Sequence, residues 1–112
     1  IQAEAFSGAE VKHGPMALVE KGFPMLVFAP RGPAQASLLT LAEEMRLRGG
    51  RVLLAAPAGT PGAELPLVST AHEDLDPIAI IQSFYLMVEG LAQTRGFNPD
   101  VPRHLAKVTQ TV

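Results

Sequence analysis

Residues 23–30 read Phe-Pro-Met-Leu-Val-Phe-Ala-Pro, an uncharged run bounded by Gly22 on one side and the Arg31-Gly32-Pro33 turn on the other. Its length and flanks are those of a short buried strand. Leu38, Leu41, Ala42 and Met45 then recur at the spacing of a single helical face, while Glu43, Glu44, Arg46 and Arg48 fall elsewhere on the wheel. Pro33 suits the first position of this helix and Gly49-Gly50 stops it. Residues 51–57, Arg-Val-Leu-Leu-Ala-Ala-Pro, give a second buried strand. Strand, helix and strand within so short a span predict a βαβ unit with parallel strands and a right-handed crossover. A loop rich in Gly, Pro and Ala leads to Leu65-Pro66-Leu67-Val68, a weaker third strand whose proline fits an edge position.

The two ends of the chain carry different signals. Ser7-Gly8-Ala9-Glu10 has the form of a capping box, so a short helix starts there, and Gly14-Pro15 ends it at about His13. Asp76-Pro77 predicts a second start, with Asp76 as N-cap and Pro77 at the first helical position. The helix that follows runs to about Arg95-Gly96 and carries two apolar stripes. One is Ile78, Ile81, Tyr85, Val88 and Ala92; the other is Ile80, Phe84, Met87 and Leu91. A helix apolar around so much of its circumference is expected to be buried on more than one side, against a second domain or subunit. From Phe97 onward the prolines and the lack of any period predict an extended tail.

Composition narrows the function classes. The 112 residues suffice for one domain or part of one. A hydrophobic content of 47% against 18% charged residues is rich for that length and again points to a covered face. Nine Lys and Arg against eleven Asp and Glu, a net charge of -2, give no footprint for a polyanion, so nucleic acid is not an expected partner. With no cysteine there is neither a disulfide framework nor a thiolate metal site, which fits a reducing compartment and a cytoplasmic location. No apolar run approaches the roughly 18 residues of a membrane span, and no signal-peptide pattern opens the chain. The chain starts on Ile1 rather than Met, which suggests a piece of a longer product.

Chemical signals read from the residues alone are few: three histidines, no Walker or dinucleotide loop, and no paired metal ligands. Two segments say more. Ala3-Glu4-Ala5-Phe6-Ser7-Gly8-Ala9-Glu10-Val11-Lys12-His13-Gly14-Pro15 resembles the Ala-Glu-aromatic…Glu-x-Lys-His-Gly-Pro segment in the isomerase half of glucosamine-6-phosphate synthases and their SIS (sugar isomerase) relatives. Asp100-Val101-Pro102-Arg103-His104-Leu105-Ala106-Lys107 resembles the Asp-x-Pro-Arg-Asn-Leu-Ala-Lys segment with which those enzymes end. The pattern between them also fits the second half of the second SIS domain, so the resemblance covers nearly the whole chain.

The resemblance implies a flavodoxin-like three-layer αβα fold with a parallel sheet, and the C-terminal part of a SIS domain pair. Residues 97–112 would then be an active-site tail. It implies interconversion of fructose 6-phosphate and glucosamine 6-phosphate, no metal or organic cofactor, and a homodimer with shared active sites. His13 takes the place of the histidine implicated in opening the sugar ring in the neighbouring subunit's site. Lys107 takes that of the lysine implicated in Schiff-base formation or in handling the open-chain sugar, with Ala106 beside it against the substrate. A histidine of ordinary pKa can take or give a proton near neutrality, and a lysine amine of lowered pKa can condense with a ketose carbonyl.

The departures from the family pattern also carry information. The family's proton-shuttling carboxylate lies ahead of the segment that opens this chain, and its Ser/Thr-rich phosphate loop has no counterpart here, so these 112 residues alone are not expected to catalyse the reaction. His104 stands where synthases have Asn. The ending from Gly96 to Thr109 resembles the glutaminase-free relatives that run the reaction as a deaminase, which is the activity favoured here over the glutamine-dependent aminotransferase. A sugar-phosphate sensor without catalysis is the alternative of another class.

Each candidate also has a plainer explanation. His13 could serve only the negative end of a helix, Lys107 could be a solvated charge, Glu10 is accounted for by its capping box, and His72 is expected in a surface loop with no role. Met25, Met45 and Met87 are expected to be core filler, and Phe84 and Tyr85 packing or subunit contacts.

Overall fold

The computed structural model describes residues 3–101. Six regular elements follow in the order α1 (Gly8–Lys12), β1 (Pro24–Phe28), α2 (Gln35–Leu47), β2 (Arg51–Pro57), β3 (Leu65–Leu67) and α3 (Asp76–Thr94), with single 3-10 turns at Pro15–Leu18 and Glu73–Leu75. The three strands form one parallel sheet in the order β1-β2-β3. This is the α/β architecture the periodicity predicts, and β2 has the predicted bounds.

Side-chain alternation along the strands decides the two faces of the sheet. Val27 and Ala29 from the β1 segment, with Val52, Leu54 and Ala56 from β2, turn toward Leu41, Ala42 and Met45 of α2, and Val11 and Val19 close the same core. The residues of alternate parity, Leu26, Phe28 and Leu53, turn to the other face, where α3 begins. There Ile80 is buried and the Phe84 ring meets Phe28 edge-on, with centroids 5.9 Å apart.

β3 reaches only the end of β2, pairing Ala55 with Leu65 and Pro57 with Leu67, so a short loop suffices where a full parallel crossover would need a helix. Glu64 at the entrance of β3 completes the ladder. Its backbone N–H donates to the Leu54 carbonyl and its carboxylate accepts the Leu54 N–H at 2.7 Å, a substitute for the strand partner β2 lacks at that level. Arg46 closes on the same carboxylate at 3.2 Å. These hydrogen bonds, chiefly the one from Leu54, hold the Glu64 carboxyl below its ordinary pKa.

Three expectations are corrected, and the stripes of α3 are placed. Pro33 precedes α2 without entering it, because Gly32 at φ +120 and the turn at residues 33–34 intervene. Asp76 is the first residue of α3, not its N-cap, and its carboxylate is engaged outside the helix. α3 is covered on one side near its start, and most of its stripe is open: Ile78 is 67% exposed and Tyr85 62%. Finally, Glu73–Thr94, 22 residues, has the length and composition of a membrane span, the one such stretch among the described residues. Scanning for uninterrupted apolar runs passes over it because Gln82, Ser83 and Glu89 break the run. The core helix of a soluble protein meets the same criterion.

Candidate functional site

In an open parallel sheet the ligand face lies beyond the carboxyl ends of the strands. Here that face is built from the loops after β1 and β3 and the first turn of α3, and one buried carboxylate ties the three together. Asp76 is 2% exposed. Its Oδ2 accepts the Arg31 Nε–H at 2.7 Å, and its Oδ1 accepts the Thr70 backbone N–H at 2.7 Å and an Arg31 terminal N–H at 3.2 Å. The Thr70 hydroxyl stands 2.7 Å from the same Oδ1 and 2.6 Å from the His72 carbonyl, and its single proton can serve one of them at a time.

Arg31 further donates to the Thr70 carbonyl at 2.6 Å. The guanidinium first, then the Thr70 donors, hold the Asp76 carboxyl well below the usual carboxylate range. A charge this deeply placed is tolerated because it is paired with Arg31 and both carboxylate oxygens accept hydrogen bonds. The carboxylate at the first residue of α3 also faces the positive end of the helix dipole.

The sequence-predicted residues lie elsewhere. Ser7 caps α1 as expected: its hydroxyl accepts the Glu10 N–H at 3.3 Å and the Glu10 carboxylate accepts the Ser7 N–H at 2.7 Å. That bond from the Ser7 backbone, then the Ser7 side chain, lowers the Glu10 pKa, so this carboxylate stays ionised and is occupied as a cap. His13 is the C-cap residue, exposed, with its backbone N–H bonded to the Glu10 carbonyl.

α1 runs beside α2, so close at Gly8 that a Cβ there would sit 3.1 Å from the Leu38 side chain, and Lys12 Nζ ends 3.8 Å from Glu44 Oε2. Gln35 opens α2 at the carboxyl end of the sheet, and Glu44 lies about 13 Å further along the helix axis. His13 therefore sits toward the opposite end of the sheet from Arg31 and Asp76, and one copy of the chain does not bring the two regions together. An open groove of about 500 Å³ lies between α1 and the start of α2, lined by Phe6, Ser7, Lys12, Ala34, Ser37 and Leu38, mostly apolar. Ala106 and Lys107 lie outside the described residues.

His72 is exposed in the loop after β3, as expected, with its Nδ1 accepting the Asp74 N–H at 3.3 Å. Sequence reading missed the Arg31–Thr70–Asp76 cluster. Its members are 39 and 45 residues apart along the chain, and the one available signal, Asp before Pro, has an adequate local explanation as a cap. Among the described residues no group of three or more potential metal ligands comes together.

No family model matches the chain. Curated relatives cover 96% of it: the glutamine–fructose-6-phosphate aminotransferase of Aeropyrum pernix is 42% identical over 114 residues and that of Thermus thermophilus 36% identical over 114 residues. The chain spans 18% of the length of each. Among solved structures, a Silicibacter pomeroyi protein described as a phosphosugar isomerase superposes with a TM-score of 0.73 at 42% identity, over 88% of this chain and 30% of its own. The C-terminal domain of glucosamine-fructose-6-phosphate aminotransferase from Francisella tularensis superposes with a TM-score of 0.59 at 27% identity, over 71% of this chain and 24% of its own.

Proposed function

We propose that this chain, a member of the SIS-type sugar-phosphate isomerase family, is part of a cytoplasmic enzyme that interconverts fructose 6-phosphate and glucosamine 6-phosphate, with glutamine as the nitrogen source. The observation that carries this reading is the run of relatives named glutamine–fructose-6-phosphate aminotransferase, 30% to 42% identical across 96% of the chain. Their shared name favours the aminotransferase over the deaminase to which the ending from Gly96 to Thr109 points.

The deaminase remains the second reading on one observation. The matched stretch is 18% of the aminotransferases but 30% of the 42%-identical phosphosugar isomerase, whose chain is therefore the shorter. A shorter chain leaves less room for a glutaminase.

In either case His13 would open the ring, taking the proton of the anomeric hydroxyl and returning one to the ring oxygen. Its exposure at the C-cap, remote from the carboxyl-end loops of its own sheet, suits a residue that serves a partner subunit's site in a homodimer. Lys107, with Ala106 beside it, would handle the open-chain sugar from a tail formed by residues 97–112. The whole chain would then be the C-terminal part of a SIS domain.

The test uses the full-length protein. With fructose 6-phosphate it should form glucosamine 6-phosphate only when glutamine is supplied. Ammonia release from glucosamine 6-phosphate without glutamine would move the assignment to the deaminase, and neither reaction would leave a sugar-phosphate sensor. His13→Ala should lower kcat by about 100-fold, the usual worth of a general acid-base, with an unchanged melting temperature. An unchanged rate removes His13 from the mechanism.

A further inference from the structure

The helix that ends at His13 does not hold itself in place. α1 is five residues long, and a helix shorter than roughly 12–15 residues is marginal in water, so its position is set by what it packs on. Val11 is buried in the core that Leu41, Ala42 and Met45 of α2 build. Lys12, at the C-terminal end of α1, reaches Glu44 of α2. An exposed pair of this length holds only weakly. At the N-terminal end the contact is steric. A Cβ added to Gly8 would lie 3.1 Å from Leu38 Cδ2 and 3.8 Å from Leu41 Cδ2. The first of these is closer than ordinary carbon contact, so the missing side chain at Gly8 sets how near α1 comes to α2. The open groove beside Ala34 and Ser37 gives α1 room to shift.

Val11 is the pivot of this arrangement. Gly8 stands three residues before it and His13 two after it, about 4.5 Å and 3 Å along the axis. A push on the Gly8 end therefore moves the His13 end by a comparable amount. No described residue hydrogen-bonds the His13 imidazole, so the ring takes its place from the backbone of α1.

We propose that Gly8 is a positioning residue for His13: by letting α1 close onto Leu38, it sets the aim of the imidazole at the sugar. The inference rests on the reading of His13 as the group that opens the ring. Gly8 offers the sugar no functional group, so its effect runs through the placement of His13. A misplacement of about 1 Å costs about 100-fold in rate, and a shift of about 0.3 Å on the same scale costs about 4-fold. A Cβ at Gly8 forces a shift of that order unless Leu38 is removed from its path.

The test follows turnover of the sugar phosphate by the full-length protein. Gly8→Ala should lower kcat about 4-fold at unchanged KM. Its melting temperature should be unchanged or raised, because alanine is the better helix former. Adding Leu38→Ala should return kcat toward the wild-type value although it removes packing. The deciding measurement repeats Gly8→Ala in the His13→Ala background, where no further fall in kcat is expected because the group being positioned is gone. An unchanged kcat in Gly8→Ala alone overturns the proposal, as does the same fall with and without His13, or a fall that Leu38→Ala does not relieve. A wild-type rate in His13→Ala is a different failure: it removes the ring-opening reading itself, and with it the premise on which the role of Gly8 rests.

Discussion

Leu54 and Leu47 are the same residue in opposite surroundings, and truncating each to alanine tests where the core lies. Leu54, 1% exposed, stands in the central strand and faces α2 between Val52 and Ala56. Leu47, the last residue of α2, is 88% exposed. Removing three carbons from a site closed on all sides forfeits their transfer free energy and leaves a cavity that a β-strand cannot collapse, together about 3 kcal/mol. The same change at Leu47 removes almost no buried surface and exchanges one good helix former for another, so its effect is within about 0.5 kcal/mol of zero. Thermal unfolding followed by far-UV circular dichroism reads both. A domain of about this size should lose roughly 12–24 °C in Tm for Leu54→Ala and almost nothing for Leu47→Ala. Equal costs at the two sites would refute the assignment of the α2 side of the sheet as the core.

Two further outcomes follow from the same structure. Asp76, Glu64 and Glu10 all have folded-state pKa values lowered from their ordinary ones. Their contribution is complete above the unfolded carboxylate pKa of about 4 and is lost as the pH falls below it, so melting temperature should be flat from neutrality to about pH 5 and decline below; Asp76→Asn should flatten that decline, and an unchanged slope would mean the Arg31 ion pair does not contribute. At Gly50 an added Cβ would lie 3.0 Å from both the Met45 carbonyl oxygen and Val19 Cγ1; Gly50→Ala is therefore expected to cost about 1–3 kcal/mol in the same unfolding assay, and no cost would mean that β2 does not enter the sheet pressed against the end of α2.

Much of this protein is local enough to be written in one dimension. The strand at residues 51–57, the apolar face of Leu38, Leu41, Ala42 and Met45 on α2, the capping box at Ser7 and Glu10, and the break at Gly14-Pro15 each depend on neighbours within a turn or two or a pleat, and each is found where the sequence puts it. The motif around His13 is likewise legible, because a motif is a local string. What the tertiary structure decided depends on residues distant along the chain. Asp76 has a satisfactory local explanation as a cap, and only the approach of Arg31 and Thr70, brought by the sheet order, turns it into a buried ion pair. Pro33 stays outside α2 because Gly32 takes a positive φ in the turn after β1. The stripes of α3 are legible as apolar, but which stripe meets the sheet and which is left open is set by the short strands beneath it. Periodicity records how much of a helix avoids water, whereas packing alone records what it meets.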